Sequence, residues 1–267
     1  MNAQELIKLY EEGESLASLN RLTHLSTQNI KNILMANNIH IRSRSEQTIF
    51  TNKKRKKSVN DFYFTNVENV NQAWLLGFLA ADGSISKENN SIKIALSSID
   101  REILEKIKEE VSIENQISDQ ITNKGFQISE MKWSSSQQKQ DLAFYGIVNN
   151  KTDKPMYLPN FQNDDLKLAY ILGYYDGDGS FTTIDKYCRF RICSHRKEIL
   201  ESFIEYFKVR YKDIRYSLNQ DNRGLYELSI STNYAIKILI DMYNLKSIHL
   251  SRKYNSFQAF ISTNSLE

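Results

Sequence analysis

The chain has 267 residues, 40% of them apolar and 25% charged, a balance that suits one or two folded globular domains and excludes a disordered or fibrous chain. No apolar run reaches the ~18 residues of a membrane span, and the start Met1-Asn2-Ala3-Gln4-Glu5 lacks the basic and apolar regions of a signal peptide. The net charge of +3 is uneven, with ten Lys/Arg against five Asp/Glu in residues 1–60, while Cys188 and Cys193 lack zinc-site partners and read as free thiols of a reducing cytoplasm.

Residues 3–41 read as three short helices. Leu6, Ile7, Leu9 and Tyr10 recur at helical spacing, Gly13 interrupts them, and Leu16, Leu19 and Leu22 form a second stripe. A turn at Thr23-His24-Leu25 leads to Ser26, a good N-cap, and to a third helix carrying Ile30, Ile33 and Leu34. Two short helices around a tight turn form a helix-turn-helix, whose second helix presents its first residues to base edges in the major groove. Those residues are Ser26, Thr27, Gln28, Asn29 and Lys31; Gln and Asn can pair with adenine, and Lys with phosphate or guanine. The stretch from Leu9 through Leu25-Ser26 resembles the helix-turn-helix of resolvase and invertase recombinases. The other reading is a plain three-helix cap on the next domain.

A basic run follows. Arg42, Arg44, Lys53, Lys54, Arg55, Lys56 and Lys57 face one acid, Glu46, so the run either docks on phosphates, as a minor-groove arm does, or is a solvated linker. The expected organisation is a helix-turn-helix domain at 1–45, a basic linker at 46–65, a first repeat at 66–160 and a second repeat with a tail at 161–267.

The repeats are visible as self-similarity. Trp74 to Ile85 matches Tyr170 to Phe181 at an offset of 96, which also carries Ile92–Ser98 onto Cys188–Ser194 and Glu102-Ile103-Leu104 onto Glu198-Ile199-Leu200. Near the end the offset becomes about 98, where Phe144-Tyr145-Gly146-Ile147 meets Met242-Tyr243-Asn244-Leu245, which puts the gap in the second hairpin. Each copy reads helix, two strands, helix, two strands, helix: an α+β fold of two pseudo-symmetric repeats. Ile92, Ile94 and Leu96 alternate with polar residues, as do Phe190 and Ile192, leaving Lys93, Arg189 and Arg191 on the outer faces. Polar sheets of this kind can lie in the major groove of duplex DNA.

Each repeat opens with a helix that is apolar nearly all round and holds a glycine, Gly77 or Gly173, at a cost of ~1 kcal/mol relative to Ala. Close approach of the two helices is the expected return. Each helix ends in an aspartate followed by glycine, Asp82-Gly83 and Asp178-Gly179. An acid there opposes the helix dipole, and two side by side repel; divalent cations would remove both penalties. Metal-assisted phosphodiester hydrolysis is the matching chemistry, with Mg²⁺ as the cofactor and Mn²⁺ able to substitute. The plain alternative is a pair of exposed helix-end acids in a duplicated scaffold.

The two segments resemble the paired signature of LAGLIDADG homing endonucleases in their single-chain form, over roughly residues 60–260. The resemblance implies a saddle of two αββαββα repeats and a monomer that cuts both strands of double-stranded DNA at a long asymmetric site. It places the metal on Asp82 and Asp178, with Gly83 and Gly179 beside them, and not on Asp176, whose counterpart is Ala80. It also implies a basic residue late in the repeat, here Lys132 between Met131 and Trp133. Its counterparts Ser229 and Ile230 are not basic, so unequal rates for the two strand cuts are expected. The exit Asp61-Phe62-Tyr63-Phe64 and the tail Ile248-His249-Leu250-Ser251-Arg252-Lys253 look like bacterial and phage members, so a free-standing or intron-encoded cytoplasmic protein is expected, with neither a membrane nor a small molecule as partner. The competing reading is a non-cleaving DNA-binding regulator or an RNA-splicing maturase on the same scaffold; a structural module would leave the helix-turn-helix and basic run without a role.

Overall fold

The computed structural model describes residues 1–48, 58–149 and 154–264. The chain divides into two compact units, Met1–Lys57 and Ser58–Glu267. Lys53, Lys54, Arg55, Lys56 and Lys57 lie outside the described residues.

The first unit contains α1 (Ala3–Glu11), α2 (Leu16–Thr23) and α3 (Thr27–Ala36). Each start is capped by a side chain: Asn2 accepts from the Glu5 amide, Ser15 from Ser18 and Ser26 from Asn29. The α2–α3 turn is made by His24 at φ 59°, and Gly13 releases the chain after α1 at φ 104°. Leu6, Tyr10, Leu19, Ile30 and Leu34 form the small core. Leu22, expected on the inner stripe, is exposed instead.

The second unit follows the duplicated pattern. Its first repeat is α4 (Val70–Ala81), β1 (Ser84–Ile85), β2 (Ser91–Ser97), α5 (Arg101–Glu110), β3 (Ser118–Ile121), β4 (Gln127–Ser134) and α6 (Ser136–Phe144). The second is α7 (Asp164–Asp178), β5 (Gly179–Ile184), β6 (Tyr187–Ser194), α8 (Lys197–Arg210), β7 (Tyr216–Gln220), β8 (Tyr226–Ser231) and α9 (Thr232–Asn244), and α10 (Ser251–Thr263) follows. Each repeat forms one antiparallel sheet, in the orders β1-β2-β4-β3 and β5-β6-β8-β7. The inner faces, with Ile92, Ile94, Met131 and Trp133 in one sheet and Cys188, Phe190, Ile192, Leu228 and Ile230 in the other, join one continuous core.

The gap between the copies falls elsewhere than the sequence suggested. The turns of the second hairpin are of equal length, and each holds a glycine at positive φ, Gly125 and Gly224. The extra residues lie before them: α8 has 14 residues where α5 has 10, partly offset by a shorter connection to β7 (211–215 against 111–117). Added turns on a surface helix leave the strand registers intact, whereas an insertion within a hairpin would disturb its ladder.

α4 and α7 are the centre of the unit. They pack against each other more extensively than any other pair of elements. A Cβ added at Gly77 would overlap the Tyr170 carbonyl, and one at Gly173 would overlap the Trp74 carbonyl. The backbones therefore touch where only glycine leaves room. The mid-helix glycines have the role their burden in a helix implied.

Candidate metal and nucleic-acid site

Close packing continues to the C-terminal ends of both helices. Asp82 is the C-cap of α4 and Asp178 the last residue of α7. A Cβ added at Gly177 would overlap Ala81 and stand 3.3 Å from Asp82 Oδ2. The Asp82 carboxylate thus lies against the residue that precedes Asp178, and the two acids share one end of the helix pair. Among the described residues no group of three or more His, Cys, Asp or Glu side chains could hold a metal. Two hard carboxylates leave most of a cation's coordination sphere to water and phosphate oxygens, which is how Mg²⁺ commonly binds beside nucleotides. The donor set fits such an ion. One expected donor does not: the Gly179 carbonyl accepts from Lys253 Nζ at 2.6 Å. An ammonium on that oxygen would repel a second cation, which counts against Gly179 as a ligand.

Asp176, set aside as a metal ligand, has a structural place. It is buried, and its Oδ2 accepts from Trp74 Nε1 at 2.9 Å and from the Leu250 amide at 3.1 Å. Burial raises its pKa, and the nearby Lys253 charge opposes that rise. Its counterpart Ala80 is also buried and has no polar side chain to satisfy.

The sheets supply the polar faces. Ser84, Lys93 and Lys132 stand in one cross-strand row of the first sheet. Met131 and Trp133 are buried and Lys132 is exposed, the alternation expected of β4. The corresponding row of the second sheet, counted outward from the acidic loop, is Ser180, Arg191 and Ser229. Arg189, half of the expected basic pair, lies one alternation further along, opposite Thr182 and Ser231. Lys93 pairs with Glu130 at 3.2 Å and Arg191 with Glu227 at 3.7 Å. These are partly exposed pairs, worth a fraction of a kcal/mol to ~1 kcal/mol, and phosphate could replace either acid. Sequence reasoning missed an open groove of about 770 Å³ beside the second sheet, lined by Tyr187, Arg215, Tyr216 and Tyr234.

In the first unit Ser26, Thr27, Gln28 and Asn29 are exposed at the start of α3, and Lys31 is half-buried. Arg44 is exposed. Arg42 is engaged otherwise than expected: its guanidinium donates to the carbonyls of Tyr10 (2.6 Å) and Glu14 (2.9 Å) and stacks on the Tyr10 ring at 3.9 Å. It ties the end of the three-helix unit back to α1, so its donors are engaged within the unit rather than turned outward.

Two cations at the helix ends were also missed. Lys253 of α10 donates to the carbonyls of Tyr175 (2.5 Å), Asp176 (2.8 Å) and Gly179 (2.6 Å). Arg196, between β6 and α8, donates through Nη2 to the Ala80 carbonyl at 3.2 Å. The available signal was the stripe Lys253, Phe257, Phe260, which puts a lysine on the buried face of its helix.

Paired central helices with terminal acids, each feeding a four-stranded sheet, define a duplicated α+β scaffold built around one acidic pseudo-axis. The model of the LAGLIDADG-like domain matches residues 69–138 and 165–242, and the chain belongs to that family. It is 26% identical to the uncharacterized protein MJ0314 of Methanocaldococcus jannaschii over 79% of each chain. Among solved structures it is similar to the LAGLIDADG homing endonuclease I-GzeII in complex with its DNA target (16% identity, 73% of this chain and 90% of that one, TM-score 0.52), which shares the fold. Full-length DUF199/WhiA from Thermatoga maritima is also similar (17% identity, 78% of this chain and 66% of that one, TM-score 0.48). No helix of the described residues is long and apolar enough to cross a membrane.

Proposed function

We propose that the chain is a site-specific endonuclease of double-stranded DNA, acting as a monomer on a long asymmetric site. The observation that carries this reading is the junction of α4 and α7, where glycine contacts bring Asp82 and Asp178 to one shared helix end. The residues that would hold divalent cations are Asp82 and Asp178, with the Gly83 carbonyl beside them. Bound Mg²⁺ or Mn²⁺ would supply activation of water and stabilisation of charge on the phosphate. The chain's own residues orient the duplex. The row Lys93–Lys132 faces one strand's phosphates, and Arg191 with Arg189 faces the other's. Lys132 is exposed beside Lys93 and carries a charge that Ser229 lacks, so it would stabilise the developing phosphate charge at one cut. Ser26 to Lys31 of α3 would read a further stretch of DNA through the major groove.

The test is cleavage of a plasmid carrying the host locus by the purified full chain in Mg²⁺. A linear product that Asp82→Asn and Asp178→Asn both abolish is expected. Tight, sequence-specific binding with no cut in Mg²⁺ or Mn²⁺ would instead establish the second reading, a non-cleaving DNA-binding regulator, which the exposed start of α3 and the missing counterpart of Lys132 favour.

A further inference from the structure

The carbonyl ends of α4 and α7 carry partial negative charge, and each bears a terminal acid, Asp82 or Asp178. Both ends are met by a buried cation, and the cations come from different places in the chain. Arg196 is 6% exposed and donates to the carbonyl of Ala80. Lys253 is 6% exposed and donates to that of Asp176. Ala80 and Asp176 are the same position in the two copies, two residues before Asp82 and Asp178. Lys253 does more than cap. Its three ammonium protons meet three acceptors, on residues 175, 176 and 179, so it holds the backbone on both sides of Asp178. Its charge also lies over the Tyr175 ring, 4.8 Å from the centroid. Arg252 beside it forks onto Asp100 at 2.9 and 3.2 Å, which ties α10 to the first repeat. Lys253 and all of α10 lie beyond residue 242, where the family match ends.

We propose that these buried cations are positioning residues for the metal-binding aspartates, Lys253 for Asp178 and Arg196 for Asp82, so that the C-terminal helix completes the metal centre. The inference rests on the reading of Asp82 and Asp178 as metal ligands. Groups that orient metal ligands without touching the metal typically set affinity by about 10- to 100-fold. Here geometry and charge pull in opposite directions, which makes the effect readable. Removing a positive charge beside two carboxylates would by itself tighten cation binding. A weaker affinity after its removal can therefore come only from lost positioning.

The probe is Tb³⁺ alone, a hard oxygen-seeking cation, titrated into the DNA-free full chain and followed by luminescence sensitised through the aromatic rings near the site. The wild type should give a saturable signal that Asp82→Asn and Asp178→Asn each lose. Lys253→Met and Arg196→Met should raise the Tb³⁺ Kd by about tenfold or more. Lys253→Arg, which keeps charge and donors, should recover most of the affinity. Circular dichroism and a melting curve establish that each variant is folded. If a methionine variant does not fold, Lys253→Gln and Arg196→Lys keep some donors and are read in the same titration. Folded variants that bind Tb³⁺ as tightly as the wild type, or tighter, would overturn the proposal and leave the cations as stabilising caps. A wild type without an aspartate-dependent signal would instead remove the metal reading itself, and this inference with it.

Discussion

The two repeats differ least where they touch and most where they face outward. At the shared axis, Gly77 and Gly173 carry reciprocal contacts, and each helix ends in an acid followed by glycine. Two residues earlier they already diverge, with the compact Ala80 in one copy and Asp176, tied to Trp74 and Leu250, in the other. On the sheets a row ending in Lys132 answers one ending in Ser229. Symmetry is enforced where one helix is the other's packing surface, because a side chain added on either side meets backbone. It relaxes where each copy meets solvent or its own stretch of a ligand that need not be symmetric.

If the shared axis is a metal centre, its two acids should be equally indispensable. Asp82→Asn and Asp178→Asn should each reduce single-turnover cleavage by several kcal/mol of transition-state stabilisation, on the order of 10³-fold. Loss for one acid and near-normal rates for the other would break the equivalence of the copies. The glycines extend the same test to folding. Ala gains ~1 kcal/mol of helix propensity over Gly, but the clash with a facing carbonyl should outweigh this and leave Gly77→Ala and Gly173→Ala destabilised by at least ~3 kcal/mol in urea unfolding. Clearly different losses for the two would show that one helix can yield to the other.

Much of this was legible in the sequence because it depends on short-range patterns. The duplicated helix, the alternation that buries Met131 and Trp133 around Lys132, and the Ser26 cap all follow from local spacing, and all stand in the structure. What was not legible depends on distant partners. Arg42 looks like one more member of a basic run until its guanidinium is seen on carbonyls some thirty residues earlier. The stripe Lys253, Phe257, Phe260 marks a buried lysine, but nothing near Lys253 or Arg196 in sequence shows which carbonyls they meet. The ammonium on the Gly179 carbonyl was hidden for the same reason. The lengthened α8 escaped notice since extra turns on an outer helix change no periodicity.

The outward rows offer a finer comparison. Lys132→Met should slow the cut on one strand by about 10²-fold, the scale of a lost charge-stabilising group, and leave the other near its wild-type rate. End-labelled strands followed separately would give both rates. Equal slowing of the two cuts would mean that Lys132 acts on binding or stability and that the asymmetry of the rows has no catalytic meaning.

The smallest expected effect concerns whether the inner faces of the copies are equally sealed. Cys188 of β6 lies 96 residues after Ile92 of β2, and both side chains are buried. Burial pushes the Cys188 thiol up to about 11. Only the thiolate reacts with alkylating agents, so at pH 8, about three units lower, roughly one thiol in a thousand is reactive before burial slows access further. Cys193, half-buried on the other face of the strand, should be labelled first. Reaction at Cys188 should appear only as the pH climbs toward 11 or when denaturant opens the sheet, a sequence that mass spectrometry of the labelled peptides can follow. Cys188→Ile, which adds bulk to a packed site and removes the Sγ donor to the Thr232 carbonyl, should destabilise the fold by about 1–3 kcal/mol. Rapid labelling of Cys188 in the native protein at pH 8 would mean that β6 opens on its own, and that the second sheet is the looser half of the pair.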